Sequence, residues 1–382
     1  MYIPASDVQE IIDSIESLGT RENETVLIML ADKHLPDVDS LIKELNHRKI
    51  DFFGAIFPGL IYGSEKFHSG AIVQSLPVKQ RPVLVRSISN PINCLEDQLM
   101  PGIRSYEDSP TAFIIVDGLS HTIVPFLSSV FNMFAGSINY LGGGAGSLSF
   151  EEQPCIFNPD GFFKDSAIIA FLDVQSSIGV RHGWNRFMGP LVATKTDGNT
   201  IKELNWKNAF EVFREAVERD SGRQLVHDNF FEISVDYAFG IVCEDEEDIV
   251  RDALKVNDQG ELICAGEVPE NAVLNIMKGE DALLIKAAEQ AVEDCLAAGI
   301  KDVDRCIVMD CIARTMFLKE DINEELSVIA KSLVSGQIHV VPEGALSIGE
   351  IASRGEGILE FFNKTMVIGV FNGPKHRIRR DI

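Results

Sequence analysis

The chain has 382 residues, of which 45% are hydrophobic, and its 34 basic and 58 acidic side chains give a formal net charge of −24. A charge of this sign opposes the approach of a phosphate backbone, which excludes nucleic acid as an expected partner. The seven cysteines show no paired CxxC spacing, so neither structural disulfides nor a cysteine-built zinc site is expected.

We expect no targeting signal at the N-terminus. The stretch MYIPASDVQEIIDSI lacks a basic region followed by an apolar one, and no apolar run approaches the roughly 20 residues of a membrane span. We therefore expect a cytoplasmic protein with no membrane partner. The eight histidines are dispersed and show no metal-ligand spacing, so no metal site is predicted.

The chain begins with an amphipathic helix over residues 7–18 and then enters a unit of strand, helix, strand and strand. The first unit is predicted as a buried strand at 26–31, a helix at 38–47, a bent strand at 54–61 and a return strand at 71–76. A proline-rich segment at 77–91 and an irregular or partly helical stretch at 93–110 connect this unit to the next.

The same order of elements is predicted twice more. The middle unit has a strand at 112–117, a helix at 123–134, the run YLGGGAGS at 140–147 and a strand at 167–172. The third has a strand at 306–310, a helix at 322–335, a bent strand at 344–351 and a return strand that ends at 371. GAIFPGLI at 54–61 and GALSIGEI at 344–351 share four residues, while the glycines of the middle unit look shifted. An internal repeat is therefore predicted.

The segment between the second and third units contains a candidate small-molecule site. Residues 177–196 have strand-like ends, and their centre RHGWNRFMGP reads as a loop that gathers cations, an aromatic ring and an amide. A surface turn with a packed tryptophan explains the same composition. A hairpin turn at 196–200 and a helix at 207–218 follow, and the polar run at 219–224 marks a domain boundary.

The second half adds strands and one long helix. Strands are predicted at 232–242, 253–256 and 262–268, and a helix at 281–297 leads into the third unit. Strands and helices that alternate with returning strand pairs indicate an α/β fold with mixed sheets, built from repeated strand-helix-strand-strand units in two domains, 1–222 and 223–382.

Five short motifs occur in an order that resembles the FIST family. They are RHGW at 181–184, VATKTDGNTIKEL at 192–204, CIAR at 311–314, GEI at 349–351 and FNKT at 362–365. The resemblance covers about residues 25–371. It implies a FIST N-terminal-like domain at 1–222 and a FIST C-terminal-like domain at 223–382.

The resemblance implies a sensor that binds a small ligand, such as an amino acid, and signals to a partner protein. Some members of the family resemble haem-dependent nitric-oxide sensors that act beside a histidine kinase. No kinase, cyclase or chemoreceptor segment is recognised in the chain, so we expect output through a partner in trans. The ligand-binding positions that the resemblance implies are Gly142, Gly143, Gly144, Arg181, His182, Trp184, Cys311, Arg314, Gly349, Glu350 and Asn363 with Thr365. Leu60 replaces the glutamate that Glu350 supplies in the third unit, which argues against a ligand role for the first unit.

Arg314 carries the most specific hypothesis. It follows the strand at 306–310 by four residues, at the strand end where open α/β sheets place their ligands. A guanidinium there can hold a carboxylate through two parallel hydrogen bonds, which suits an amino acid or organic acid. The alternative is a structural ion pair with Glu350.

Other chemistry is weaker. A cation near Cys311 would favour its thiolate and would permit an enzyme with Cys311 as nucleophile. Haem needs only one axial histidine, for which His182 and His121 are the candidates. The run LGGGAG lacks the spacing of a phosphate loop and is equally explained by close strand packing. We therefore predict a non-enzymatic cytoplasmic sensor of a small ligand, with a haem-based nitric-oxide sensor and a Cys311 enzyme as alternatives.

Overall fold

The computed structural model describes residues 1–4, 7–90, 110–134, 138–244, 246–354 and 358–373. The predicted irregular stretch at 93–110, apart from Pro110, and the basic tail KHRIRR at 375–380 lie outside these residues.

The fold is a mixed α/β fold in which strands outnumber helices. In chain order, the described strands are β1 (Tyr2–Ile3), β2 (Glu24–Ala31), β3 (Phe52–Phe57), β4 (Gly59–Tyr62), β5 (Glu65–Phe67), β6 (Ala71–Pro77), β7 (Val83–Arg86), β8 (Thr111–Asp117), β9 (Asn139–Ala145), β10 (Ile156–Asn158), β11 (Gly161–Phe163), β12 (Ser166–Leu172), β13 (Ser176–Arg181), β14 (Asn185–Asp197), β15 (Thr200–Leu204), β16 (Lys207–Asn208), β17 (Tyr237–Ile241), β18 (Ile249–Arg251), β19 (Ala253–Val256), β20 (Leu262–Cys264), β21 (Val273–Lys278), β22 (Val303–Cys311), β23 (Pro342–Ser347), β24 (Glu350–Arg354), β25 (Ile358–Phe362) and β26 (Met366–Asn372).

The described helices are α1 (Val8–Ser17), α2 (Val38–His47), α3 (Ile123–Phe134), α4 (Ala209–Ser221), α5 (Phe230–Ser234), α6 (Asp281–Ala297), α7 (Ile312–Leu318) and α8 (Ile322–Ser335). Helices α1 and α2 begin where the sequence predicts, because the Asp7 and Asp37 side chains accept hydrogen bonds from backbone N–H groups of the first turn. In the part of the chain that the structure describes, no helix combines the length and the apolar character needed to cross a bilayer.

Three units of the chain share one topology. In each unit the first strand pairs in parallel with the second and antiparallel with the last. The pairs are β2 with β3 and β6, β8 with β9 and β12, and β22 with β23 and β26. Their apolar faces are buried together in a continuous core that contains residues from all three units.

The units interlock because each passes a strand to its neighbour. Strand β4 continues β3 past Pro58 and pairs with β23 of the third unit. Strand β24 continues β23 and pairs with β9 of the middle unit. Strand β10, downstream of β9, pairs with β3 of the first unit. The three units therefore form a closed ring of shared sheets, which we call the ring body.

One glycine occupies the same register in all three units. Gly54, Gly142 and Gly344 lie opposite Ile28, Ile114 and Val308 of the parallel partner strand. A methyl group at any of the three glycines would overlap the backbone carbonyl oxygen of that partner, so only glycine permits this approach. The predicted shift of the middle unit's glycines is therefore wrong for Gly142, which occupies the same register as Gly54 and Gly344. Duplication of the sequence itself stays a prediction.

A second body, which we call the inserted domain, lies between the second and third units. It spans residues 184–280 and contains the sheet β18-β17-β21-β14-β15-β20-β19, with β16 beside β15. It has its own core, in which α4 and α5 contribute Phe213 and Phe230. The division at residue 222 stays a prediction about sequence organisation. In three dimensions, strands from both sides of that residue share two sheets of the ring body.

Two local predictions are wrong, and one helix was not predicted. Residues 230–234 are helical, although a strand was predicted from 232, because Phe230 and Ile233 point to the core at helical spacing. The centre of the segment 177–196 is not a loop: only residues 182–184 interrupt β13 and β14. Helix α7 follows β22 directly and was not predicted, since seven residues carry too weak a periodic signal.

Candidate functional site

Arg314 is the centre of a buried charged cluster at the end of β22. Its side chain has no exposed surface, and it forms ion pairs with Glu325 of α8 and with Asp310, whose Oδ1 lies 3.2 Å from the guanidinium Nε. Burial raises the pKa of Asp310 well above its usual range, and the charge of Glu325 raises it further. Burial also raises the pKa of Glu325. One guanidinium therefore faces two carboxyl groups, and the raised pKa of each carboxyl group favours its protonated form.

The same guanidinium binds backbone from three other segments. It donates to the carbonyl oxygens of His182 at 2.5 Å, Leu284 at 3.0 Å and Lys364 at 3.2 Å. Arg314 thus connects the start of the inserted domain, helix α6 and the FNKT segment. Its ion-pair partners are Asp310 and Glu325, so the predicted structural pair with Glu350 is wrong. Because its donors are engaged in this way and it does not line the cavity described below, the geometry does not favour a carboxylate clamp.

Glu350 lies in a separate buried polar group. Its carboxylate accepts hydrogen bonds from the Ser347 hydroxyl at 2.8 Å and from the Thr365 backbone N–H at 3.3 Å. Burial raises the pKa of Glu350 to about 8, against an ordinary value of 4.5. The carboxyl therefore releases its proton near neutral pH rather than in acid.

Cys311 contacts Glu350 and lines the cavity. Burial, and then the Glu350 charge, raise the pKa of the Cys311 thiol well above its usual value. The hypothesis of a thiolate stabilised by a nearby cation is therefore wrong, since the local charges favour the neutral thiol. The hypothesis of an enzyme with Cys311 as nucleophile depended on that thiolate and is therefore not supported.

Lys364 is a fully buried cation that links the two bodies. Its Nζ lies 3.2 Å from a carboxylate oxygen of Asp252, donates to the carbonyl oxygen of Val235 at 2.9 Å, and sits 4.5 Å from the centre of the Trp184 ring. The Trp184 indole N–H donates in turn to the Lys364 carbonyl oxygen at 3.2 Å. Trp184 is therefore a buried residue at the contact between the ring body and the inserted domain.

A cavity of about 540 Å³ opens between the ring body and the inserted domain. The ring body contributes the segment after β8, the start of α7 and the turn between β23 and β24. The inserted domain contributes α5 and the pair β19-β20. Among the predicted positions, Cys311, Gly349 and Asn363 line this cavity, and Asp252 and Gly118 were missed. The volume falls in the usual range of small-molecule sites.

Asn363 supplies an unusual feature of the cavity wall. Its side chain is 3% exposed, and its Oδ1 accepts no hydrogen bond from the described residues. Gly349 lies nearby with φ of +84°, and a side chain there would overlap the Phe361 ring. The glycine is therefore required by both its backbone conformation and its packing.

The predicted glycines of β9 and Arg181 do not line this cavity. Gly142, Gly143 and Gly144 are buried in β9, where Gly144 meets the backbone of residue 348, which fits the close-packing explanation. Arg181 forms a two-point ion pair with Asp294 at 2.7 and 3.0 Å. With His182 it lines a second cavity of about 310 Å³, whose other charged residues are acidic.

Neither candidate histidine fits haem ligation. The Nδ1 of His182 accepts the Trp184 backbone N–H at 2.8 Å, and its Nε2 lies 3.8 Å from Glu247 in the acidic second cavity, which would repel haem propionates. His121 is at the rim of the larger cavity with its side chain 79% exposed, so a porphyrin bound there would face solvent. Among the described residues, no group of three His, Cys, Asp or Glu side chains could hold a metal ion.

Comparison with known families agrees with the motif order. Residues 24–207 match the FIST N domain and residues 209–353 match the FIST C domain. The chain belongs to the FIST family. FIST domains are sensory domains of signal transduction, so this FIST protein has a sensory role. No curated protein matches the sequence.

The sequence analysis did not identify the buried acidic residues that pair with Arg314 and Lys364 in this FIST protein. Asp310 lies four residues before Arg314 and Glu325 eleven after it, but neither was predicted as a partner of Arg314. Asp252 pairs with Lys364, which is distant in the chain, so no local spacing predicts that pair. A signal was present for Lys364, because a lysine inside the quoted motif FNKT, flanked by apolar runs, is a candidate buried cation.

We predict that Arg314→Lys lowers the stability of the ligand-free protein. Lysine keeps the charge but cannot serve two carboxyls and three carbonyls at once, and breaking a buried pair costs about 3–5 kcal/mol when a partner is lost entirely. The free energy of unfolding from urea titration should fall by roughly 2–4 kcal/mol. Arg181→Lys is the control, because that ion pair is 34% exposed and should cost no more than about 1 kcal/mol. Equal losses in the two variants would contradict the central role of Arg314.

We predict a pH-dependent difference between the wild type and Glu350→Gln. Above its ordinary value of 4.5, the carboxyl of the unfolded chain releases its proton, while the folded one keeps it until pH is about 8. The wild type should therefore lose stability relative to the variant as pH rises across this window, by up to about 1.4 kcal/mol per pH unit. Urea titrations at several pH values measure this slope. A stability difference between the wild type and Glu350→Gln that stays flat across this window would overturn the prediction.

Proposed function

We propose that this protein is a cytoplasmic sensory module that binds a small ligand in the cavity between the ring body and the inserted domain. The observation that carries the proposal is the Asn363 side chain on the cavity wall, whose buried Oδ1 has no donor among the described residues. A buried carbonyl oxygen without a donor costs about 1–3 kcal/mol. A ligand that supplies an N–H or O–H group relieves this cost and gains specificity.

The position of the cavity supports signalling. Asn363 belongs to the segment 361–365, which also attaches the inserted domain to the ring body. In this segment the Phe361 carbonyl accepts from Arg251 at 2.9 Å, and Lys364 pairs with Asp252. A ligand at Asn363 therefore acts on the contacts that set the joint, and we propose that a partner protein in trans, such as a histidine kinase, reads the change.

The choice between an amino acid and an organic acid follows from the cavity charges. Acidic Glu152, Asp252 and Glu267 line it, with Lys255 as the basic counterpart, and the Arg314 guanidinium does not. An ammonium group is favoured by such a lining and a lone carboxylate is not. An amino acid is therefore the better candidate of the two, and the geometry supports neither the haem alternative nor the Cys311 enzyme.

We predict that a thermal-shift screen of amino acids and organic acids finds a stabilising amino acid, because a ligand of the native state raises its apparent stability. Asn363→Ala should weaken the binding of that amino acid by about 1–1.5 kcal/mol in isothermal titration, the worth of one hydrogen bond. Its ligand-free melting temperature should not fall, because the removed oxygen had no donor among the described residues and its burial is unfavourable.

The matched control is Asn158→Ala. Asn158 is also buried, but it lies in β10 and accepts the Asp160 backbone N–H at 2.9 Å. This variant should lose ligand-free stability and keep its affinity. If Asn363→Ala retains full affinity, Asn363 does not bind the ligand. A screen that finds no stabilising compound would count against the small-ligand proposal.

A further inference from the structure

The geometry points to an amphiphilic ligand whose head donates an N–H hydrogen bond to Asn363, as an amine or an amide does, and whose hydrocarbon body extends to the cavity mouth. The inference rests on the proposed function, because it concerns the same cavity. It differs in naming a ligand class larger than a free amino acid.

The first support is an apolar rim. Phe150, Phe231 and Leu254 line the cavity and yet remain 44%, 45% and 37% exposed. They come from the loop after β9, from helix α5 and from strand β19, so three distant segments bring large apolar side chains to one opening. Exposed apolar groups that converge in this way mark a binding surface more often than scattered ones do. We call these three residues the rim.

The second support is the remaining lining. Ile123, Ile263, Ile312, Met316 and Ile348 also line the cavity. A hydrocarbon body would contact these side chains and cover the rim. Apolar surface of both the ligand and the protein would then be buried. A free amino acid has a short side chain, and the cavity volume of about 540 Å³ belongs to the range of drug-sized ligands.

The third support concerns the head group. The unpartnered polar atom of the wall is an acceptor, Asn363 Oδ1, so the head must be a donor. The Asp252 carboxyl is compensated by its pair with Lys364, which leaves Glu152 and Glu267 against Lys255 in the lining. This excess of negative charge disfavours an anionic head such as that of a fatty acid. The cation Lys364 is already paired with Asp252 and is not available to neutralise a bound carboxylate.

The test is isothermal titration of the full chain with hexylamine and octylamine, with hexanamide and octanamide, and with octanoate, all below their aggregation concentrations. Each added methylene should tighten the binding of the amines or the amides about fourfold, the effect of burying one such group. The two head types distinguish a cationic from a neutral donor, and binding of either with this chain-length dependence supports the inference. Octanoate should bind at least tenfold more weakly than the better donor.

Rim variants supply the control for non-specific adsorption. Phe231→Ser and Leu254→Ser should reduce the affinity for the eight-carbon ligand more than for the six-carbon ligand and so flatten the chain-length dependence. Val334→Ser removes an apolar side chain of α8 that is 55% exposed and does not line the cavity, and it should change neither affinity.

The outcomes separate the two proposals. If amino acids stabilise the protein but the amphiphiles bind without chain-length dependence, or octanoate binds as well as octylamine, the inference is overturned and the sensory cavity stands. If neither amino acids nor amphiphiles bind, both are overturned. Equal effects of Phe231→Ser and Val334→Ser would also overturn the role of the rim.

Discussion

The arrangement of this protein depends on one buried guanidinium. Arg314 is held by Asp310 and Glu325 within the third unit, and its remaining donors bind the carbonyl groups of His182, Leu284 and Lys364. A buried cation with paired carboxyls is costly to desolvate, and it is tolerated only when its hydrogen bonds are satisfied. This requirement fixes the positions of the segment that enters the inserted domain and the segment that closes the third unit.

The ring body explains where the cavity lies. Three parallel strand pairs approach closely at Gly54, Gly142 and Gly344, and each unit then passes a strand to its neighbour. The ends of β8 and β22 and the turn at Gly349 meet on one side of this ring, and the inserted domain covers them. A cavity at a joint between two bodies is suited to a sensor, because a ligand there contacts both bodies and can change the free energy of their arrangement.

The units could be predicted from sequence because their apolar runs, caps and glycines are local signals. Strand β2 follows from its continuous apolar run, and helix α2 follows from its helical periodicity. The site was predicted only in part. Cys311, Gly349 and Asn363 line the cavity, but the hypothesis for Arg314 exposed its guanidinium to a ligand, whereas the side chain is buried in the protein interior. Its orientation is set by Asp310, Glu325 and carbonyls up to 132 residues away, and such contacts exist only after the fold has formed. The short helix α7, which carries Arg314, has no periodic signal of its own.

The most direct test of the central role of Arg314 is hydrogen–deuterium exchange of the full chain and of Arg314→Lys, measured by mass spectrometry. Local opening raises exchange where stabilising contacts are lost. The account predicts faster exchange around His182, Leu284 and Lys364, the three segments that the guanidinium binds, with strands β2 and β3 unchanged. Faster exchange confined to helix α7, or spread evenly over the chain, would contradict it.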